Sequence, residues 1–311
     1  MRLRFQKRKS SFVARCPIRA RSLPEPRYNP GMDRHMLIFG LGYTGARLAA
    51  ALRADGWRVS GVRRASDGAD TLAFADAAGI AARLAGASHI LSSVPPAPDG
   101  TDPVLTRYGA AIAGAPARWG GYLSSTGVYG DTGGAWADES TPTGTGRRTA
   151  RRLADRAWQA LRPDMRLFRL PGIYGPGRSA LDRVRQGRAH RIALPGQVFS
   201  RIHVDDIVRA VRAGFDGPPG VYNIADDAPA PHNAVIEFAC ALLGHPCPPC
   251  LSLDAAGLPP QARAFYAENR RIANGRAKRH LGWHPRYPDY RAGLLACLAE
   301  EAAGPGCQPG A

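Results

Sequence analysis

No apolar stretch of the 311-residue chain approaches the roughly eighteen residues that span a bilayer, which removes the membrane-spanning classes. The basic N-terminus also lacks the apolar core of roughly 7 to 15 residues that a secretory signal requires. Cys16, Cys240, Cys247, Cys250, Cys297 and Cys307 show no disulfide-framework spacing, which suits a reducing, cytoplasmic compartment. HPCPPC, His245 to Cys250, holds a CxxC with neither a second CxxC nor an HxxxH partner, so no metal is expected. Internal repeats are absent. Acidic residues are scarce, 25 against 42 basic ones, for a net charge of +17. Yet 10 of those 42 lie in the first 35 positions, against only Glu25 and Asp33. The remaining excess is spread along the chain, so nucleic acid is not an expected partner. Residues 1–35 read as a disordered extension, as an upstream stretch before a true start at Met32 or Met36, or as a nucleic-acid or targeting arm.

Strand and helix patterns alternate from Met36. MLIFG is a short apolar run, GLGYTG follows at once, and ARLAAALRADG places Leu48 and Leu52 one turn apart before Gly56. WRVSGVRR (57–64), HILSSVPP (89–96), GGYLSSTGVYG and MRLFRLPGIYGPG (165–177) read as further strands with their exit loops. Asp102-Pro103 suits a helix cap and first position, ahead of Val104, Leu105, Tyr108 and Ile112 on one face. This alternation predicts an α/β fold, a Rossmann-type doubly wound parallel sheet. The expected division is a dinucleotide-binding domain over 36–176, with 201–226 returning to it. A smaller C-terminal substrate lobe takes 177–200 and 227–302, and 303–311 form a tail.

GLGYTG matches GxGxxG at Gly40, Gly42 and Gly45. The first glycine serves the tight turn, the second the approach of a pyrophosphate, and the third close packing of helix on strand. Free N–H groups at the helix start suit the anion, so Tyr43 and Thr44 join the expected contacts. Ser93, at the end of the HILSS strand, is a further candidate. Where an NAD site would place an acid, the second strand ends in Arg63 and Arg64. A guanidinium suits a 2′-phosphate, which favours NADP over NAD.

LSSTGVYG (123–130), DESTP (138–142), FRLPGIYGPG, RIHVDDIVRAV (201–211), VYNIADD and RAKRHLGWHPRYPDYRAGLLA complete a set that covers Met36 to about Leu298. With GLGYTG, they resemble the extended short-chain dehydrogenase/reductases, the NAD-dependent epimerase/dehydratase family, and most of all an atypical branch of NAD(P)-dependent oxidoreductases. The resemblance implies hydride transfer on a small carbonyl or sugar-nucleotide substrate. It makes Ser125 the hydroxyl that polarises the reacting oxygen, with Ser124 and Thr126 beside it. A homodimer is implied by the same analogy.

One family feature is missing. The resemblance puts a Tyr four residues ahead of a Lys at the start of the helix holding LADRAW. Here those positions are Arg147 and Arg151, or Arg148 and Arg152 if the register shifts by one. Arginine stays protonated and does not serve as an ordinary proton donor, so about 10² to 10⁴ in rate is at stake. Tyr129, Tyr174 and His203 are the substitutes near the site, and Arg151 suits a ribose or anion contact. Asp205 and Asp206 read as helix caps or arginine partners. Two functions are compatible with this pattern: an oxidoreductase with a non-standard proton source, and an NAD(P)-binding sensor or scaffold without chemistry.

Overall fold

A computed structural model describes residues 34–68, 70–144 and 149–303. β1 (His35–Phe39) is buried along its whole length, as a strand covered on both faces must be. It leads through Gly40 into α1 (Tyr43–Ala54), then β2 (Arg58–Arg63) and β3 (Thr71–Ala73). α2 (Ala77–Gly86) begins where the Asp76 carboxylate accepts the Gly79 N–H at 2.9 Å, and β4 (His89–Ser92) follows. The sequence pattern gave no element between 64 and 89. Only Ile80 and Leu84 of α2 are buried, too few to carry a helical periodicity among alanines and glycines.

α3 (Pro103–Ala113) starts as the Asp102-Pro103 pair predicts, with Asp102 Oδ1 accepting from Val104 N and Leu105 N. The other oxygen of Asp102 accepts Trp158 Nε1–H at 2.7 Å, which ties the start of α3 to a later helix. β5 (Trp119–Ser125), the two-residue β6 (Trp136–Ala137), α4 (Thr149–Leu161), β7 (Met165–Leu170) and β8 (Gly172–Tyr174) come next. Then follow α5 (Ala180–Arg185), β9 (Arg191–Ile192), β10 (Arg201–His203), α6 (Val204–Ala213) and β11 (Gly220–Asn223). The last elements are α7 (His232–Leu243), β12 (Cys250–Leu251), α8 (Pro260–Arg263), β13 (Arg271–Ile272), α9 (Gly275–Leu281) and α10 (Tyr290–Ala303).

Seven parallel strands form one sheet in the order β3-β2-β1-β4-β5-β7-β11. The chain works outward from β1 to β3 and then returns to its other side at β4, so the strand order reverses between β1 and β4. α1 and α6 pack on one face against Trp119, Phe168 and Tyr222. α2, α3 and α4 cover the other, around Tyr122 and Trp158, whose rings stack at 5.1 Å. This is the doubly wound α/β arrangement, with helices on both faces. A third cluster joins α5, α7 and α10 through Leu181, Ile236 and Leu294. Among the described residues no helix is long and apolar enough to cross a membrane.

Candidate functional site

The carboxyl ends of β1, β4 and β5 share one edge of the sheet, and the reversal between β1 and β4 opens a crevice there. The glycine turn occupies the end of β1. Gly40 has φ +92°, a conformation that other residues rarely adopt, and its N–H donates to Val62 O at 2.9 Å. A Cβ on Gly45 would lie 2.3 Å from the Gly40 carbonyl oxygen, so this glycine lets α1 sit directly on the turn. A Cβ on Gly42 would meet nothing within 4 Å. Gly42 caps α1 with no side-chain bond to the first-turn N–H groups. The turn is thus closed at two glycines and open at the middle one, the form a pyrophosphate cradle needs.

Three candidates around the turn point elsewhere. Ser93 Oγ donates to Gly40 O at 2.6 Å and so braces the turn, because the left-handed backbone of Gly40 leaves that carbonyl in need of a donor. The hydroxyl hydrogen of Ser93 is thereby committed to the turn. Tyr43 hydroxyl donates to Pro176 O at 3.0 Å and holds the 175–178 loop, while Thr44 is buried in the first turn of α1. Arg63 ends β2, one residue beyond the Val62 that anchors the turn. It is paired with Asp67 on the surface, with exposed Arg64 beside it.

At the end of β5, three neighbouring hydroxyls have different commitments. Ser124 Oγ donates to the buried Asp155, and Thr126 Oγ1 donates to Leu170 O at 3.4 Å. Ser125 Oγ instead accepts the Gly127 N–H at 3.1 Å, capping the short 3-10 turn 126–129. Its own hydrogen has no acceptor among the described residues, and Ser125 lines a cavity of about 390 Å³.

Tyr129 is not in that cavity. Its ring is 1% exposed, its hydroxyl donates to Asn223 Oδ1 at 2.7 Å, and Arg169 Nη1 donates to it at 3.0 Å. Burial pushes its phenol above the ordinary value, and Arg169 moderates the rise. This hydroxyl belongs to a buried network that runs through Arg169 to Asp155 and so to Ser124. That placement sets the Tyr129 hydroxyl among interior groups and away from the cavity wall. Arg151, in the first turn of α4, sits beside the Tyr122 phenol and does not line the cavity. Arg147 lies outside the described residues, as does Arg148.

His203 is buried outside the cavity. Its Nδ1 accepts the Asp205 N–H at 3.2 Å, so the histidine itself caps α6, a role the sequence suggested for Asp205 or Asp206. Burial lowers its pKa to about 4. Asp205 pairs with Arg47 at 2.7 Å, and Asp206 accepts the backbone N–H groups of Arg286 and Tyr287. Asp138 is spent on its own turn through Ser140 and Thr141, and Glu139 accepts the Asn223 N–H. Tyr174 does line the cavity, with its hydroxyl turned toward Asp289 O at 3.5 Å.

The rest of the cavity wall was not visible in the sequence. Arg178, Arg183 and Arg201 line it, and Arg178 also lies over the Tyr43 ring at 5.5 Å, joining the cavity to the glycine turn. Its one acidic lining residue, Glu268, is paired with Arg270 at 2.7 Å. Phe199, His190, His232 and Tyr266 form an aromatic wall, with His190 Nε2 and Tyr266 hydroxyl hydrogen-bonded at 3.0 Å. Burial lowers the His232 pKa to about 3, so this ring is neutral at physiological pH. These residues are scattered singly from 178 to 270, and no spacing announced them.

Comparison with known proteins gives a consistent setting. No protein-family model matches the chain. A functionally unknown conserved protein from Silicibacter pomeroyi is 44% identical, with a TM-score of 0.78 covering 86% of this chain and 98% of that one. A protein from Methylobacillus flagellatus assigned to the NAD-dependent epimerase/dehydratases is 26% identical, with a TM-score of 0.67 over 87% of this chain and 99% of its own. Protein YeeZ of Escherichia coli K12 is 28% identical over 82% of this chain and 97% of its own length.

Proposed function

The chain belongs to the extended and atypical short-chain dehydrogenase/reductases, the NAD-dependent epimerase/dehydratase family, and on that premise we propose that it is an NADP-dependent oxidoreductase acting on a small carbonyl compound or its alcohol. One observation carries the reading. A glycine turn open at Gly42 is joined through Arg178 to a cavity lined by Ser125, whose hydroxyl hydrogen has no acceptor among the described residues.

Gly40, Gly42 and the first N–H groups of α1 would hold the pyrophosphate, and Arg63 with Arg64 the 2′-phosphate. Arg63 must then leave Asp67. That exposed pair contributes about 0 to 1 kcal/mol, whereas a charge-assisted bond to phosphate contributes about 1.5 to 3 kcal/mol, so the phosphate wins. When bound, the dinucleotide supplies the hydride. Ser125 would donate a hydrogen bond to the substrate's carbonyl oxygen as negative charge develops there. The oxygen would take its proton from water in the cavity, since neither Tyr129 nor Arg151 lines it and Tyr174, which does, turns its hydroxyl toward Asp289 O. The rate is therefore below that of a site with a built-in tyrosine.

The test is calorimetric titration with NADPH and NADH, followed by loss of NADPH absorbance over a panel of aldehydes and ketones. NADPH binds more tightly than NADH, and Arg63→Asp erases that preference. Ser125→Ala lowers turnover about 10² to 10³-fold without changing NADPH affinity. Tight NADPH binding with no turnover of any carbonyl would leave a sensor in place of an enzyme.

A further inference from the structure

We propose that the cavity is built for a compact aromatic acid, a flat ring whose carboxylate meets Arg201 and whose reacting carbonyl points to Ser125. The inference rests on the cavity being the substrate site of the proposed oxidoreductase.

Charge is the first support. Among the described residues no ion pair is found for Arg178, Arg183 or Arg201, while the lining carboxylate of Glu268 is already neutralised by Arg270. The neighbouring Asp226 does not line the cavity, and burial raises its pKa to about 8. Three guanidinium groups thus face the space with no free anion of the protein among them.

Geometry is the second. Arg201 Nη1 donates to Phe199 O at 2.8 Å and Ala230 O at 2.9 Å, which fixes the plane of the guanidinium. Nε and Nη2 make no hydrogen bond to the described residues. Together they are the side-on fork that matches the two oxygens of a carboxylate. Phe199, whose carbonyl holds that fork, presents its ring to the same space, edge-on to Tyr266 at 5.6 Å. Tyr266 is held by His190, so aromatic faces and edges adjoin the cation. A planar ring packs there by offset or edge contacts, which an aliphatic chain cannot reproduce. At about 390 Å³ the cavity lies near the small end of the range of roughly 300 to 1,000 Å³ for ligand sites, so a single ring fits better than a nucleotide sugar.

Calorimetry on the protein saturated with NADP⁺ tests this with 4-carboxybenzaldehyde, its methyl ester, glyoxylate and UDP-glucose. The acid binds at least about tenfold more tightly than the ester, which keeps the ring and removes the charge. It also binds more tightly than glyoxylate, which keeps the charge and removes the ring. Arg201→Lys retains the positive charge but loses the fork, and costs most of the preference for acid over ester. If that variant does not fold, the comparison of ligands on the wild-type chain decides alone. Equal binding of acid and ester, equal binding of glyoxylate, or tighter binding of UDP-glucose overturns the proposal. NADP⁺ binding is measured separately: binding of cofactor without the acid defeats this inference alone, and binding of the acid without cofactor defeats the oxidoreductase reading alone.

Discussion

Two glycines three residues apart in the same turn should fail in opposite ways when replaced by alanine. At Gly42 the backbone has φ −79° and ψ −161°, an ordinary extended conformation for alanine, and the added Cβ meets nothing within 4 Å. Losing glycine at this uncapped helix start costs at most about 1 kcal/mol. The methyl group does stand where a pyrophosphate must approach the backbone, and displacing an anion from N–H donors loses charge-assisted bonds of about 1.5 to 3 kcal/mol each. Gly42→Ala is therefore expected to unfold in urea within about 1 kcal/mol of the parent while binding NADPH at least about tenfold more weakly. At Gly45 the Cβ would lie 2.3 Å from Gly40 O, so α1 must move off the turn, an overpacking cost of about 1 to 3 kcal/mol. Gly45→Ala shows that loss in the urea midpoint before any ligand is added. Paired urea melts and NADPH titrations separate the two effects. If Gly42→Ala binds NADPH as the parent does, the turn is not a cofactor cradle. If Gly45→Ala is as stable as the parent, the close approach of helix and turn is not the reason for that glycine.

Two further predictions concern the interior. Asp155→Asn leaves the Arg169 guanidinium buried without its carboxylate, which receives Nη2 at 2.7 Å and Nε at 3.0 Å, and should destabilise by about 3 to 5 kcal/mol. A loss under about 1 kcal/mol in urea unfolding would show that the pair is dispensable. Burial lowers His89 to about 3, His203 to about 4 and His232 to about 3, against an ordinary value near 6.5. Below that value the unfolded chain binds protons that the folded chain refuses, so stability is lost as pH falls from 6.5 toward 4. Asp226, raised to about 8, holds a proton in the folded state and opposes one of the three, leaving about two protons near pH 5. The resulting slope is about 3 kcal/mol per pH unit. Urea midpoints at pH 7, 6 and 5 that stay level or rise would refute this account.

Much of the fold was legible because its signals are local. β1 and β5 are apolar runs, Asp102 caps and Pro103 begins α3, and the glycines of the turn each answer a backbone requirement set by their immediate neighbours. The weakly patterned β3 and α2 escaped, since two buried side chains among alanines do not make a period. The site was less legible. Ser125 was singled out by the family resemblance, but Ser124 and Thr126 beside it looked equivalent as hydroxyls until Asp155 and Leu170, 31 and 44 residues further on, were seen to take their hydrogens. Tyr129 looked like a substitute acid for the same reason, its partners Arg169 and Asn223 being distant in sequence.

Sequence alone therefore determined the doubly wound sheet and the glycine turn, because each depends on residues adjacent in the chain. Tertiary structure alone decided which hydroxyl keeps its hydrogen, that His203 caps a helix, and that Arg201, Phe199 and Tyr266 share a cavity wall with Ser125. Those facts depend on which distant groups fold against one another, and hydrogen bonding and burial act on that proximity whatever the spacing in sequence.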